Sequence, residues 1–362
     1  MERVRLFVVV ASILVMCVAR SVGGEEVADT LSACDFPAIY NFGDSNSDTG
    51  GISAAFYPMA SPCGETFFHR PAGRGCDGRL MIDFIDGVSP FSLDIQIAQY
   101  QQLKSRTTSL YNRAKKQPRR FPRVDDFSKA LYTFDIGQND VAAGIRKMSD
   151  EQFQAQIPDI INQLATAIRN LYDQGARTFW IHNTGPIGCL AVTLHYLHNP
   201  SPDYVDRRGC VKFQNDMARQ FNRALKQKVF QLRKELPLAA ITHVNVFAAK
   251  YKLLSNAKKH GFLDKTKICC GYHEDNNHVY CGNKGIINGT QVYAGSCEDP
   301  SLYISWDGVH YTEAANHWIA NQLISGSFSD PPLPITIHAI GFNLCSSFHI
   351  CNSFLAYKLT RN

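Results

Sequence analysis

Short apolar runs typical of buried strands recur along this chain, and amphipathic segments with helical spacing separate them. The strand-like runs cover residues 37–42, 130–137, 177–183 and 239–247. Apolar side chains recur every three or four residues over roughly 152–174, and further helices are expected near 211–235 and 312–325. Strands that alternate with helices in this way favour an α/β sandwich built around a parallel sheet.

The N-terminus has the three regions of a secretory signal peptide. Arg3 and Arg5 precede an apolar run of about 14 residues, which ends before a small-residue stretch, "SVGG". This run is short of the ~20 residues that span a bilayer, so a membrane anchor is the weaker interpretation. We therefore predict a signal peptide over 1–24 and a secreted mature protein, in the apoplast or cell wall.

Charge and composition do not favour a nucleic-acid-binding protein. The hydrophobic content of 45% and charged content of 19% are ordinary for a globular chain. A net charge of +5 is too weak and too dispersed for a nucleic-acid interface. The densest basic stretch, 104–123, is interpreted as a solvated surface loop, with a basic binding patch as the alternative.

The cysteines and one sequon fit the secretory pathway. Twelve cysteines are present, and eleven remain once Cys17 leaves with the signal peptide. An oxidising compartment favours disulfides, and Cys189 and Cys210 could close the loop between them. Four further cysteines could instead form a zinc cluster, but their spacing lacks paired C-x-x-C motifs and we expect no metal: Cys269, Cys270, Cys281 and Cys297. Asn288-Gly-Thr is a candidate glycosylation site.

Three polar clusters mark the candidate active site. They are "GDSNSDTGG" after the first strand, "GQND" after the second and "DGVH" before the last helix. Ligands of such sheets bind at the carboxyl ends of the strands. We expect Ser45 to be a nucleophile, His310 its base, Asp307 the group that orients His310, and Asn139 an oxyanion donor.

Each of these residues also has a purely structural interpretation. Ser45 could cap a helix, His310 could be an ordinary loop histidine, and Asn139 could be a turn residue. The Gly-x-Ser-x-Gly motif of the α/β-hydrolases is absent, so that fold is not supported. The grouping of all three clusters at expected strand ends favours one assembled site.

The motifs resemble those of the plant GDSL esterases/lipases of the SGNH hydrolase superfamily. "FGDSNSDTG", "GQND" and "DGVHYTEAAN" look like the first, third and fifth sequence blocks of that family. The resemblance implies a three-layer α/β/α fold, flavodoxin-like, over 25–335. It also implies hydrolysis of carboxylic esters through an acyl-enzyme on Ser45, without a cofactor, and an oxyanion hole that includes Ser45 and Asn139.

The chain departs from the family pattern at several places. The family's second block has no counterpart near residues 85–89 of this chain. In the family, that block supplies a glycine oxyanion donor and the second strand of the sheet. Gly87 is nearby but lacks the block's motif around it. Residues 336–362 form an irregular extension. Cys63 and Cys76 are unusual for the family, and they could bridge each other or remain thiols.

The sequence therefore predicts a secreted esterase or lipase acting on acyl or acetyl esters of small metabolites, lipids or cell-wall sugars. No large apolar lid-like segment is visible, which favours short acyl groups. No membrane span and no nucleic-acid partner are expected. The absent block leaves other hypotheses open: an impaired pseudo-enzyme, a secreted glycoprotein that binds carbohydrate or another ligand, or a splice variant of an active esterase.

Overall fold

A five-stranded sheet forms the centre of the protein in the computed structural model, which describes residues 36–81, 92–113, 121–274 and 277–335. Its strands are β1 (Ile39–Gly43), β2 (Leu131–Asp135), β3 (Thr178–His182), β4 (Ala240–Val244) and β11 (Ser329–Asp330). They lie in the order β1-β2-β3-β4-β11. The first four pair in parallel, and β11 runs antiparallel to β4.

Ten α-helices lie in the described ranges. They are α1 (Gly51–Ala55), α2 (Glu65–Phe68), α3 (Leu93–Arg113), α4 (Asp126–Lys129), α5 (Gln138–Lys147), α6 (Asp150–Asp173), α7 (Ala191–His195), α8 (Lys212–Glu235), α9 (Val246–Ser255) and α10 (Glu313–Ile324). Helices α3, α6 and α8 pack side by side, and α9 packs on α10. The sheet and these helices form the predicted α/β sandwich.

Strand alternation shows why both faces of the sheet are covered. Phe179 and Ile181 belong to the large apolar core under α6 and α8, whereas Trp180 points to the other face. All three side chains are fully buried. A parallel sheet with apolar residues on both faces needs helices on both sides, and this requirement fixes the layered architecture.

The predicted strands and helices are confirmed, with small differences in their bounds. The longest predicted helix, 152–174, begins earlier because Ser149 and Gln152 form a capping box around its first turn. The fourth strand ends at Val244 rather than at 247, because Asn245 caps helix α9 through its side chain.

The basic stretch at 104–123 is not a loop over its first half. Residues 104–113 form the second half of helix α3. The buried side chains Ile97, Tyr100 and Thr107 recur at helical spacing and face the core. Arg106 and Arg113 are exposed on this helix, so the basic stretch is solvated there, as predicted, but helical.

Short strand pairs and three disulfides shape the segments outside the central sheet. Strand β5 (Asp264–Ile268) pairs with β10 (Tyr303–Ser305), β6 (Tyr272–Glu274) with β7 (Asn277–Val279), and β8 (Lys284–Ile287) with β9 (Thr290–Tyr293). The disulfides are Cys189–Cys210, Cys269–Cys297 and Cys270–Cys281. The second and third join the four cysteines for which a zinc cluster was the alternative. Cys63 and Cys76 are buried and form no disulfide with each other.

Three predictions fall wholly or mainly outside the described residues: the signal peptide at 1–24, the junction at 85–89 and the extension at 336–362. Within the described ranges, no helix is both long and apolar enough to cross a membrane.

Candidate active site

Ser45 lies immediately beyond the carboxyl end of β1, in the first turn of a short 3-10 helix, Ser45–Ser47. Asp44 caps this turn, because its Oδ1 accepts a hydrogen bond of 3.0 Å from the backbone N–H of Asn46. Ser45 is therefore not the cap of this helix, and its hydroxyl is available to other partners.

Gly43 allows this turn to pack tightly against β2. A Cβ at residue 43 would lie 2.6 Å from the Cβ of Ser47 and 3.1 Å from the carbonyl oxygen of Asp135. The Ser47 hydroxyl in turn donates a 3.0 Å hydrogen bond to the Asp135 carboxylate. These contacts fix the backbone that presents Ser45.

The loop before α10 places Asp307 and His310 against Ser45. Asp307 Oδ1 accepts hydrogen bonds from the backbone N–H groups of Val309 and His310, at 3.0 and 2.8 Å. Gly308 has φ +97°, a conformation that favours glycine, and it lets the loop turn back within three residues. The short loop therefore holds both side chains in a fixed relation.

A chain of two side-chain hydrogen bonds connects the three residues. Asp307 Oδ2 lies 2.6 Å from His310 Nδ1, and His310 Nε2 lies 2.8 Å from Ser45 Oγ. A carboxylate can only accept, so Nδ1 carries the proton and donates a hydrogen bond to Asp307. Nε2 is then the free acceptor for the Ser45 O–H, which is the arrangement that a general base requires.

The charges in this chain support each other. Burial would raise the pKa of Asp307, but His310 and hydrogen bonds to the carboxylate outweigh it and lower the pKa. Burial would lower the pKa of His310, but Asp307 outweighs it and raises the pKa. The pair thus favours a carboxylate beside an imidazole of increased basicity.

Asn139 lies in the first turn of α5, directly after β2, and its side chain is exposed. The side-chain amide makes no hydrogen bond with any residue in the described ranges. Because β1 and β2 are parallel neighbours, Asn139 and Ser45 follow adjacent strands at the same edge of the sheet. An unengaged amide at this place is free to donate to a ligand.

A buried group of charges beneath the site was not found from the sequence. Lys250, 5% exposed on α9, is close enough to Asp44 and Asp135 to influence the pKa of both carboxyls. Burial and Asp135 raise the pKa of Asp44 to about 6, whereas His182 and Lys250 outweigh burial and lower that of Asp135. No local motif marks Lys250, because only the folded chain brings it close to Asp44 and Asp135.

Asn288 is exposed at the turn between β8 and β9. Asn288 and Gly289 both have positive φ, at 49° and 79°, which is the signature of an Asn-Gly hairpin turn. The sequon therefore lies on an accessible surface.

Comparison with known proteins places the chain in a family. The family model described as GDSL-like Lipase/Acylhydrolase matches residues 39–323. The chain belongs to this family. The family description and the relatives named esterase or lipase confirm the predicted class of enzyme, a carboxylic-ester hydrolase.

Relatives match most of the chain. A GDSL esterase/lipase of Arabidopsis thaliana is 50% identical over 93% of this chain and 97% of its own length. A protein named Esterase from Hevea brasiliensis is 43% identical, with 86% and 91% covered. Alpha-L-fucosidase 3 of Arabidopsis thaliana is 44% identical, with 81% and 91% covered.

The alignments are longer than the part of this chain that they cover. The first runs over 382 positions, but 93% of 362 residues is only about 337. About 45 aligned positions of that relative therefore have no counterpart in this chain. The same reasoning gives about 47 positions for the Hevea protein, where 358 positions cover 86% of this chain, about 311 residues.

Proposed function

We propose that this GDSL-family protein hydrolyses carboxylic esters with Ser45 as nucleophile, His310 as general base and acid, and Asp307 as the residue that orients His310. The observation that carries the proposal is the pair of hydrogen bonds, 2.8 Å from Ser45 Oγ to His310 Nε2 and 2.6 Å from His310 Nδ1 to Asp307 Oδ2. No metal or cofactor is part of the proposal.

The reaction would proceed in two steps. Ser45 Oγ attacks the ester carbonyl while its proton passes to His310 Nε2, and His310 then protonates the departing alcohol. A water molecule, deprotonated by His310, releases the acid from the acyl-enzyme. The oxyanion of each tetrahedral intermediate would be stabilised by the backbone N–H of Ser45 and the side-chain amide of Asn139.

The absent second block would weaken this oxyanion hole. We propose that the aligned positions of the relatives that have no counterpart in this chain include this block, which is missing near residues 85–89. A glycine donor and a strand of the sheet would be missing with it. The strand order supports this interpretation, because β1 has only β2 as a strand partner in the described ranges. Loss of one oxyanion donor lowers the rate by about 10²–10³-fold.

The decisive test is hydrolysis of p-nitrophenyl acetate and butyrate by the wild type, Ser45→Ala and the matched control Ser201→Ala, which changes an exposed loop serine. We expect turnover to disappear only in Ser45→Ala, with all three proteins folded by circular dichroism. Labelling by a fluorophosphonate probe should likewise depend on Ser45. Equal turnover in Ser45→Ala and Ser201→Ala would refute the assignment.

A non-catalytic glycoprotein that binds carbohydrate at the same site is the main alternative, and the absent block favours it. A folded wild type without labelling or turnover would support that alternative. One relative is named a fucosidase. However, glycosidases use two carboxyl groups that flank the scissile bond, whereas Asp307 is bound to His310. p-Nitrophenyl α-L-fucoside therefore serves as a control substrate and should not be hydrolysed.

We also propose that the mature protein is secreted, glycosylated at Asn288, and acts on acetyl or other short acyl esters of metabolites, lipids or cell-wall sugars. The N-terminal signal pattern and the exposed sequon support the first two points. Faster hydrolysis of a long-chain ester than of acetate, at matched concentrations, would contradict the third.

A further inference from the structure

A cavity lies away from the proposed active site, at the carboxyl ends of β3 and β4. Its volume is about 640 Å³, within the range of small-molecule sites. Asn183 and Asn245, the residues that follow these two strands, line it. Ser45 follows β1, and β4 is three strands further across the sheet, roughly 14 Å at the usual strand spacing.

Cations from one helix line this cavity. Arg219, Arg223 and Lys226 project from successive turns of α8. Arg219 is paired with Asp216 at 2.8 Å, and Lys226 with Asp330 at 3.1 Å. The guanidinium of Arg223 has neither a hydrogen-bond nor an ion-pair partner in the part of the chain that the structure describes.

Two buried polar atoms at the cavity also have no hydrogen-bond partner among the described residues. They are Nε2 of His243, a residue only 5% exposed on β4, and Oγ of Ser329 on β11. Ser329 pairs with Val244, the neighbour of His243, so both atoms come from adjoining positions of two paired strands. A buried polar group without a partner is costly, so each of these atoms would be stabilised by a hydrogen-bond partner.

The remaining walls are partly apolar. Phe247, Phe328 and Pro332 line the cavity, and the Arg219 guanidinium lies 5.1 Å from the centre of the Phe247 ring. Asn183 accepts a hydrogen bond from the Phe247 N–H and donates one to Asn245, so the wall at Phe247 is held in place. The cavity is larger than an inorganic ion needs, and its apolar walls would contact an organic group rather than an ion.

We infer that this cavity binds an organic anion, with its carboxylate or phosphate head against Arg223, Lys226 and His243 and its apolar body against Phe247 and Phe328. Guanidinium groups match both heads in geometry and charge. Acidic side chains do not cancel the positive charge. The two carboxylates, Asp216 and Asp330, are outnumbered by the three cations of the cavity and Arg233, which also contacts Asp330.

Isothermal titration calorimetry with four probes tests this inference on the full mature protein. Benzoate and phenyl phosphate represent the two head groups, inorganic phosphate lacks the apolar body, and benzyl alcohol lacks the charge. The variants are Arg223→Gln and the matched control Arg146→Gln, an exposed arginine outside the cavity. Circular dichroism confirms that each variant folds.

We expect saturable binding of benzoate or phenyl phosphate at one site, and the tighter of the two identifies the head group. Arg223→Gln should weaken it at least tenfold, whereas Arg146→Gln should change it less than twofold. By NMR titration the bound anion should also raise the pKa of His243, since a nearby negative charge favours the protonated imidazole.

Three results would overturn the inference. They are no saturable binding of either aromatic anion, equal affinity in the two variants, and binding of inorganic phosphate or benzyl alcohol as tight as that of the aromatic anions. None of these results depends on Ser45, so the test is separate from that of ester hydrolysis.

Discussion

The two edges of the central sheet are completed in different ways. At one edge β4 is paired with β11. At the other, the outer backbone groups of β1 are bound at Gly43 by a side chain: Gly43 N–H donates to Gln96 Oε1 at 3.0 Å, and Gln96 Nε2 donates to the Gly43 carbonyl at 2.9 Å. Unpaired strand edges invite aggregation and lose hydrogen bonds when they are buried. A single glutamine therefore does locally what a neighbouring strand would do.

The two edges also carry histidines in opposite electrostatic environments. His310 lies beside a carboxylate, and Asp307 raises its pKa above the usual value. His243 is buried, and burial followed by Lys226 outweighs the opposing effect of Asp330 and, together with Arg233, lowers its pKa to about 4. The comparison teaches that burial lowers the pKa of both imidazoles, and that only at His310 does a neighbouring carboxylate outweigh it.

The largest effect is expected from removing the carboxylate of Asp307, which acts on Ser45 through His310 at the β1 edge. Asp307→Asn should lower kcat for p-nitrophenyl acetate by about 10³–10⁴-fold, because the amide no longer holds His310 in the tautomer that accepts from Ser45. The matched control is Asp159→Asn, at an exposed position of α6. If Asp307→Asn were as active as this control, the carboxylate would have no part in catalysis.

Much of this arrangement could be predicted from the sequence, because it depends on local patterns. Apolar runs mark β1 to β4, and the polar residues directly after strands mark Ser45 and Asn139. Asp307 and His310 are separated by only two residues, so their pairing is also local. The family resemblance supports the roles that the chemistry of these residues suggests.

The remaining features depend on contacts between distant segments. Gln96 is an ordinary polar residue in helix α3 until that helix brings it against Gly43, 53 residues earlier. Lys250 and His243 acquire their unusual environments only through burial under other elements. Strand β11 has two residues and no apolar pattern, so only its pairing with β4 defines it.

The second prediction concerns the side-chain amide of Gln96, which binds the β1 edge at Gly43. Gln96→Leu should lower the free energy of unfolding by about 2–4 kcal/mol, because it leaves the N–H and C=O of Gly43 without their buried partner. Urea denaturation measures this change. The turnover of p-nitrophenyl acetate should fall as well, since Gly43 lies two residues before Ser45.

The control for this effect is on the same helix. Gln102→Leu, at an exposed position of α3, should change stability by no more than about 0.5 kcal/mol. Similar losses in the two variants would mean that the Gln96 amide does not complete the sheet edge. A loss of stability without any change in kcat would mean that it stabilises β1 but does not position the nucleophile.

The smallest expected effect concerns the histidine at the β4 edge and is seen in the pH dependence of stability. Between about pH 6.5 and 4 the unfolded chain protonates His243 while the folded protein does not, so stability falls as the pH falls. From pH 7 to pH 5 this difference amounts to about 2 kcal/mol. His243→Gln removes it, so urea denaturation at the two pH values should show a smaller acid loss in the variant by that amount.

His310 has a raised pKa and acts with the opposite sign, adding stability at low pH that disappears as the pH rises through its folded pKa, but it does so equally in both proteins. An acid loss as large in His243→Gln as in the wild type would show that the imidazole at the β4 edge is not held neutral by its surroundings.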